Sequence, residues 1–198
     1  MKKNFLILMI VLLSQSFLFS QPKNERGFRA GISFANVFGD LDNSRFVSGA
    51  SFGIFYRTYY RNNRAVQYEI NYTQKGYSTD IDDDWKGTTT NDYLLTYLEV
   101  PILFVFNISR TPFDYYFGPF GAFFVSGSVS AEFWGTHISV PIESDEMNTF
   151  DAGIMVGGRW AYDKFFIDVR SSLGLLSFPK DGSSLRNIVI QLSGGARF

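Results

Sequence analysis

The sequence predicts an all-β fold, an eight-stranded antiparallel barrel of the up-and-down kind that crosses a membrane with its strands. Three observations predict it. Apolar and polar residues alternate with period two along most of the chain, charge is confined to one face of each alternating segment, and long and short connections follow each other in strict turn. Composition points the same way. Among 198 residues there are 22 Phe, 11 Tyr, 3 Trp and 18 Gly, a balance that favours pleated aromatic strands over helices.

The chain opens with a segment of another kind. Lys2 and Lys3 precede an unbroken apolar run from Phe5 to Leu13. Ser14, Gln15 and Ser16 then interrupt it, and Ser20 offers a small residue for cleavage near Gln21. This is the anatomy of a secretory signal peptide over residues 1–21, too short for a spanning helix. The large Leu18 leaves the exact cleavage point open. Residues 22–198 form the expected barrel domain. No later segment reaches the ~18 consecutive apolar residues of a transmembrane helix.

The strands follow in order. Phe28, Ala30, Ile32 and Phe34 lie opposite Arg29, Gly31 and Ser33. Ala50, Phe52, Ile54 and Tyr56 oppose Ser51, Gly53, Phe55 and Arg57. Val66, Tyr68, Ile70, Tyr72 and Gln74 oppose Gln67, Glu69, Asn71, Thr73 and Lys75. A helix would mix these sets on one surface, whereas a strand separates them. Leu98, Val100, Ile102, Phe104 and Phe106 oppose Tyr97, Glu99 and Pro101. The segment Tyr115 to Ser126 is apolar on both faces, so its orientation stays open. Ala152, Ile154, Val156 and Trp160 oppose Asp151, Gly153, Gly157 and Arg159. Phe165, Ile167, Val169 and Leu173 oppose Asp168, Arg170, Ser172 and Gly174. Ile188, Ile190, Leu192, Ala196 and Phe198 oppose Gln191, Ser193, Gly195 and Arg197.

Long connections are expected at Phe38–Phe46, Gly76–Asp92, Gly127–Asn148 and Ser177–Asn187. Short ones are expected at Tyr59–Arg64, Asn107–Asp114 and Tyr162–Lys164. A soluble sandwich has no reason to alternate them, but an outer-membrane barrel has, with short turns on the periplasmic side and long loops outside. Charge decides between inside and outside. Glu69, Glu99, Asp151 and Asp168, with Arg29, Arg57, Lys75, Arg159, Arg170 and Arg197, all fall on the polar face. A charge facing lipid at mid-membrane costs about 2–4 kcal/mol, so the uncharged aromatic face is the outer one. A soluble ligand-binding barrel would show the reverse.

Several pieces carry a family resemblance: Tyr97-Leu98-Glu99-Val100-Pro101-Ile102, Gly118-Pro119-Phe120, Phe165-Phe166-Ile167-Asp168-Val169-Arg170 and the ending Gly194-Gly195-Ala196-Arg197-Phe198. Over about residues 27–198 the chain resembles the PorT-like outer-membrane β-barrels of Bacteroidetes. It departs from their pattern at Ala196, where an aromatic is commoner, and at Arg159-Trp160. The resemblance implies a fold and a compartment, the outer membrane. It also implies contact with outer-membrane lipid, handling of the aromatic C-terminus by the barrel-assembly machinery, and envelope protein partners, a type IX secretion apparatus among them.

For chemistry the chain offers little. With no cysteine, disulfides, thiolate metal sites and thiol nucleophiles are excluded, and a formal net charge of −1 gives no case for nucleic acid. No cofactor, metal or catalytic residue is assigned. His137, the one histidine, has Glu132, Ser139 and Glu143 near it in sequence, the basis for a lipid-modifying enzyme as an alternative reading; its expected place in the longest loop favours a solvated side chain. Asp80, Asp82 and Asp84 open like a calcium loop, but Trp85 stands where the turn needs Gly and no Glu closes it. The interior charges are expected to form ion pairs that fill the lumen, helped by Phe55, Leu103 and Phe166, with Glu99 and Asp168 each held by an arginine. Eight strands leave a space that side chains can just fill, so a narrow pore is the less favoured reading.

Overall fold

Residues that alternate between apolar and polar can satisfy their backbone in a membrane only as strands of a closed sheet, and the computed structural model has this form. It describes residues 24–41, 44–61, 63–83, 87–108, 111–133, 136–142, 147–179 and 184–198. Residues 1–21, the expected signal peptide, lie outside them. Among the described residues there are nine strands: β1 (Asn24–Gly39), β2 (Val47–Arg61), β3 (Arg64–Asp83), β4 (Gly87–Asn107), β5 (Phe113–Phe133), β6 (Thr136–Ile142), β7 (Phe150–Tyr162), β8 (Phe165–Gly174) and β9 (Leu185–Arg197).

Eight of them close the barrel. Each pairs antiparallel with its sequence neighbour, β5 pairs with β7 below β6, β4 pairs with β5, and β1 meets β9 to shut the ring. The ninth, β6, pairs only with the far end of β5. Both chain ends of the barrel and the short turns lie at one rim. At the other rim β3 and β4 run on together to Asp83↔Gly87, and β5 runs on to pair with β6. The connections Gly76–Asp92 and Gly127–Asn148, expected as loops, are therefore largely strand. Their residues alternate too, but in a different sense from the wall below.

The wall follows the sequence pattern. On β8, Phe165, Ile167 and Val169 are exposed while Phe166, Asp168 and Arg170 are buried. The undecided β5 turns Tyr115, Phe117 and Phe123 outward and Tyr116, Phe120 and Ala122 inward. Its phase then slips by one residue: Tyr97 pairs with Phe124 but Thr96 with Ser126, so Val125 is extra. A bulge of this sort moves every later side chain to the other face.

Inward rings need room, and glycine on the next strand supplies it. Gly27 pairs with Phe55, Phe120 with Gly153, Tyr116 with Gly157 and Phe166 with Gly195. A Cβ at any of these four glycines would strike the ring of its partner. The aromatic covers the bare backbone and fills lumen space beside it.

Candidate functional site: the charged lumen and its apolar seal

The period-two alternation sends the polar face of all eight wall strands into one enclosed space, where charges must be paired to exist. Asp168 stands at the centre. Its carboxylate meets Arg29 at 3.3 Å, Arg159 at 3.3 Å and Arg170 at 3.1 Å, and accepts a hydrogen bond from the Tyr116 hydroxyl at 2.8 Å. Glu69 shares two of these cations, Arg170 at 2.7 Å and Arg29 at 3.6 Å, and accepts from Asn71 Nδ2 at 2.8 Å. The guanidinium of Arg159 lies between two rings, 3.9 Å from the centre of Phe166 and 4.8 Å from that of Phe55. Such stacking suits a weakly hydrated planar cation.

Toward the turn rim Arg57 donates to Asp114 at 2.7 Å and lies 3.8 Å from Glu25, which also meets Arg197 at 3.3 Å. Toward the hairpin rim Lys75 meets Glu99 at 2.7 Å and Asp151 at 3.5 Å, with the rings of Tyr97 and Phe120 each 4.8 Å away. The partner of Glu99 is thus a lysine rather than the expected arginine, because Lys75, four residues along β3 from the cross-strand partner Asn71, is on the same inward face and long enough to reach it. Asp168 does hold arginines. Glu25 and Asp114 are additions to the expected set; Asp114 falls in the expected connection Asn107–Asp114, and Glu25 precedes the first alternating segment, yet both lie at strand ends. Arg197 lies at the rim, its side chain 26% exposed.

Above this network the lumen becomes apolar. Val37, Leu95, Tyr97, Met147, Phe178 and Leu185 are buried together, with Leu41, Tyr77, Phe124 and Ile142 packed against them. The connection after β8 folds over the opening: Phe178 accepts from the Asn148 backbone N–H at 2.7 Å and donates to Leu185 O at 3.1 Å. Sequence reading missed this seal, since Met147 and Phe178 lie in segments without alternation.

Outside, the wall is an apolar belt. Ile54, Val125, Val156 and Phe117 are all more than half exposed. Aromatics gather near the turn rim, where Phe106 stacks on Tyr115 at 5.2 Å and Trp160 on Tyr162 at 6.2 Å. Beyond the belt the polarity reverses. The outer face of the hairpin extensions carries Asp80, Thr90, Asp92, Ser128, Ser130 and Ser139, and the inner face Tyr77, Tyr93, Leu95 and Ile142. That is the pattern of a sheet standing in water.

The two enzyme and metal candidates fall on this sheet. His137 is in β6 rather than in a loop, opposite Glu132 in register. Ser139 is exposed on a flat strand and hydrogen-bonded to Ser130 at 3.3 Å. Asp80 lies in strand, with its carboxylate taken by Arg45 and by Thr90 Oγ1 at 2.9 Å. Asp84 is outside the described residues.

The family model described as outer membrane protein beta-barrel domain matches residues 19–178 of this chain. Two solved structures share the fold. Neisserial surface protein A is 14% identical with a TM-score of 0.55, covering 87% of this chain and 97% of that one. Ail, the attachment invasion locus protein of Yersinia pestis, is 16% identical with a TM-score of 0.51, covering 89% and 99%. No curated protein sequence matches the chain.

Proposed function

This chain belongs to the outer membrane protein beta-barrel domain family and resides in the outer membrane, and from that premise we propose that it is a plugged, non-enzymatic barrel acting as a binding or structural element of the envelope through its hairpin rim. One observation carries this reading. The lumen is filled by ion pairs and sealed by Phe178 and its neighbours, while four strand segments are extended past the apolar belt into a polar-faced sheet. A barrel that only filled a hole in the membrane would have no need of that extension.

The chemistry of the rim narrows the partner. The four hairpin-side connections contain twelve acidic and four basic residues. A cationic or neutral partner surface fits such a rim, and a polyanion is repelled. Ail is described in complex with the heparin analogue sucrose octasulfate. The acidic rim here argues against carrying that ligand class over. A place in a type IX secretion apparatus is supported only by the resemblance of Tyr97 to Ile102 to PorT-like barrels.

Shortening the β5–β6 hairpin by removing residues 128–141 tests the reading. The variant should still insert and keep the heat-dependent gel mobility of a closed barrel, and should lose the envelope partners that crosslink to the full chain. Unchanged crosslinks after the deletion would contradict a hairpin-borne role. Crosslinks to secretion-apparatus subunits from the full chain would select the type IX reading.

A further inference from the structure

The outer wall is not uniform. Across β1 to β4 it holds a groove of about 410 Å³ floored by Ala30 and the backbone of Gly53 and walled by Phe28, Phe52, Ile54, Tyr72 and Leu98. It exists because a small side chain, Ala30, sits among large ones, and because the ring of Tyr72 stacks on Phe52 at 4.6 Å and leaves the space beside it open. The groove lies within the belt, so hydrocarbon of the bilayer is what meets it.

One step toward the turn rim on the same face is Arg26, exposed and two residues before Phe28. It pairs in register with Tyr56, and Tyr56 with Tyr68, on neighbouring tilted strands. Lipid-facing tyrosines of this kind are enriched where the apolar belt meets lipid headgroups. Among the described residues no carboxylate pairs with Arg26; its guanidinium lies 5.9 Å from the Phe198 ring. Arg64 and Lys164 add exposed cations to the same rim. A cation without a carboxylate at headgroup depth, directly below an acyl-sized groove, matches the two ends of one lipid.

We propose that the groove of β1 to β4 holds one anionic phospholipid of the periplasmic leaflet, an acyl chain against Ala30 and the phosphate on Arg26. The groove selects for a flexible single chain rather than a second barrel, whose convex wall cannot enter it. Arg26 selects for net negative charge, because the ammonium of a zwitterionic headgroup competes for the phosphate.

The test uses the full barrel in nanodiscs of equal parts phosphatidylglycerol and phosphatidylethanolamine, with retained lipid counted by native mass spectrometry. The wild type should keep one phosphatidylglycerol, enriched about fivefold, the size of one cation–anionic headgroup contact. Arg26→Gln should keep one lipid with no headgroup preference. Ala30→Phe should keep none, while both variants retain the mobility shift of a closed barrel. Equal retention of the two lipids by the wild type, the same retained lipid in Ala30→Phe, or a second copy of the chain in place of lipid would each overturn the proposal.

Discussion

Asp168 concentrates more interaction than any other lumen residue described, because three guanidinium groups and a tyrosine hydroxyl converge on one buried carboxylate. Removing it leaves Arg29 and Arg170 to Glu69, and Arg159 without the one carboxylate it meets. Breaking a buried pair by deleting one partner typically costs about 3–5 kcal/mol. Asp168→Leu should therefore lower the unfolding free energy in detergent micelles by that amount. Asp92→Ala, on the exposed hairpin, should stay within about 0.5 kcal/mol. Equal losses would mean that Asp168 is solvated. These interior charges were legible in sequence wherever they lay in the middle of an alternating run. Glu25 and Asp114 escaped because a residue at the end of a strand has too few neighbours on its face to reveal which face it is on.

At the scale of the strand, packing is decided between neighbours rather than within a segment. Tyr116 and Phe120 on β5 point inward over Gly157 and Gly153 of β7. From β5 alone both faces read as aromatic, so its orientation could not be read; the glycines that settle it are on another strand. The hairpin extensions were missed for a related reason. Past the belt the polar residues move to the outer face, and a reader expecting apolar-out strands sees a loop. Gly195→Val, which drives a side chain into the Phe28 carbonyl oxygen and the Phe166 ring, should destabilise by about 1–3 kcal/mol, the usual cost of overpacking. Gly194→Ala, with open space outward, should unfold at the same urea concentration as the wild type. Loss of stability in both would show that the ring–glycine pairing is not what sets these positions.

For the whole molecule, function follows from which spaces are full. The ion-pair network spans the lumen from Arg57 to Lys75, and the Phe178 cluster closes the hairpin end. Reconstituted in planar bilayers, the protein should show no discrete conductance steps; steps that persist in purified material would mean a continuous water path. The central claim is simpler still: apolar residues face lipid and charged residues face a closed interior. The absence of cysteine makes it testable residue by residue. Single cysteines placed from Leu98 to Phe104 on β4 and spin-labelled in liposomes should alternate. Leu98, Val100, Ile102 and Phe104 should be relaxed by lipid-phase oxygen, and Glu99, Pro101 and Leu103 by neither oxygen nor an aqueous nickel complex. Relaxation of the odd positions by the nickel complex, or no alternation at all, would contradict the sealed, inverted barrel.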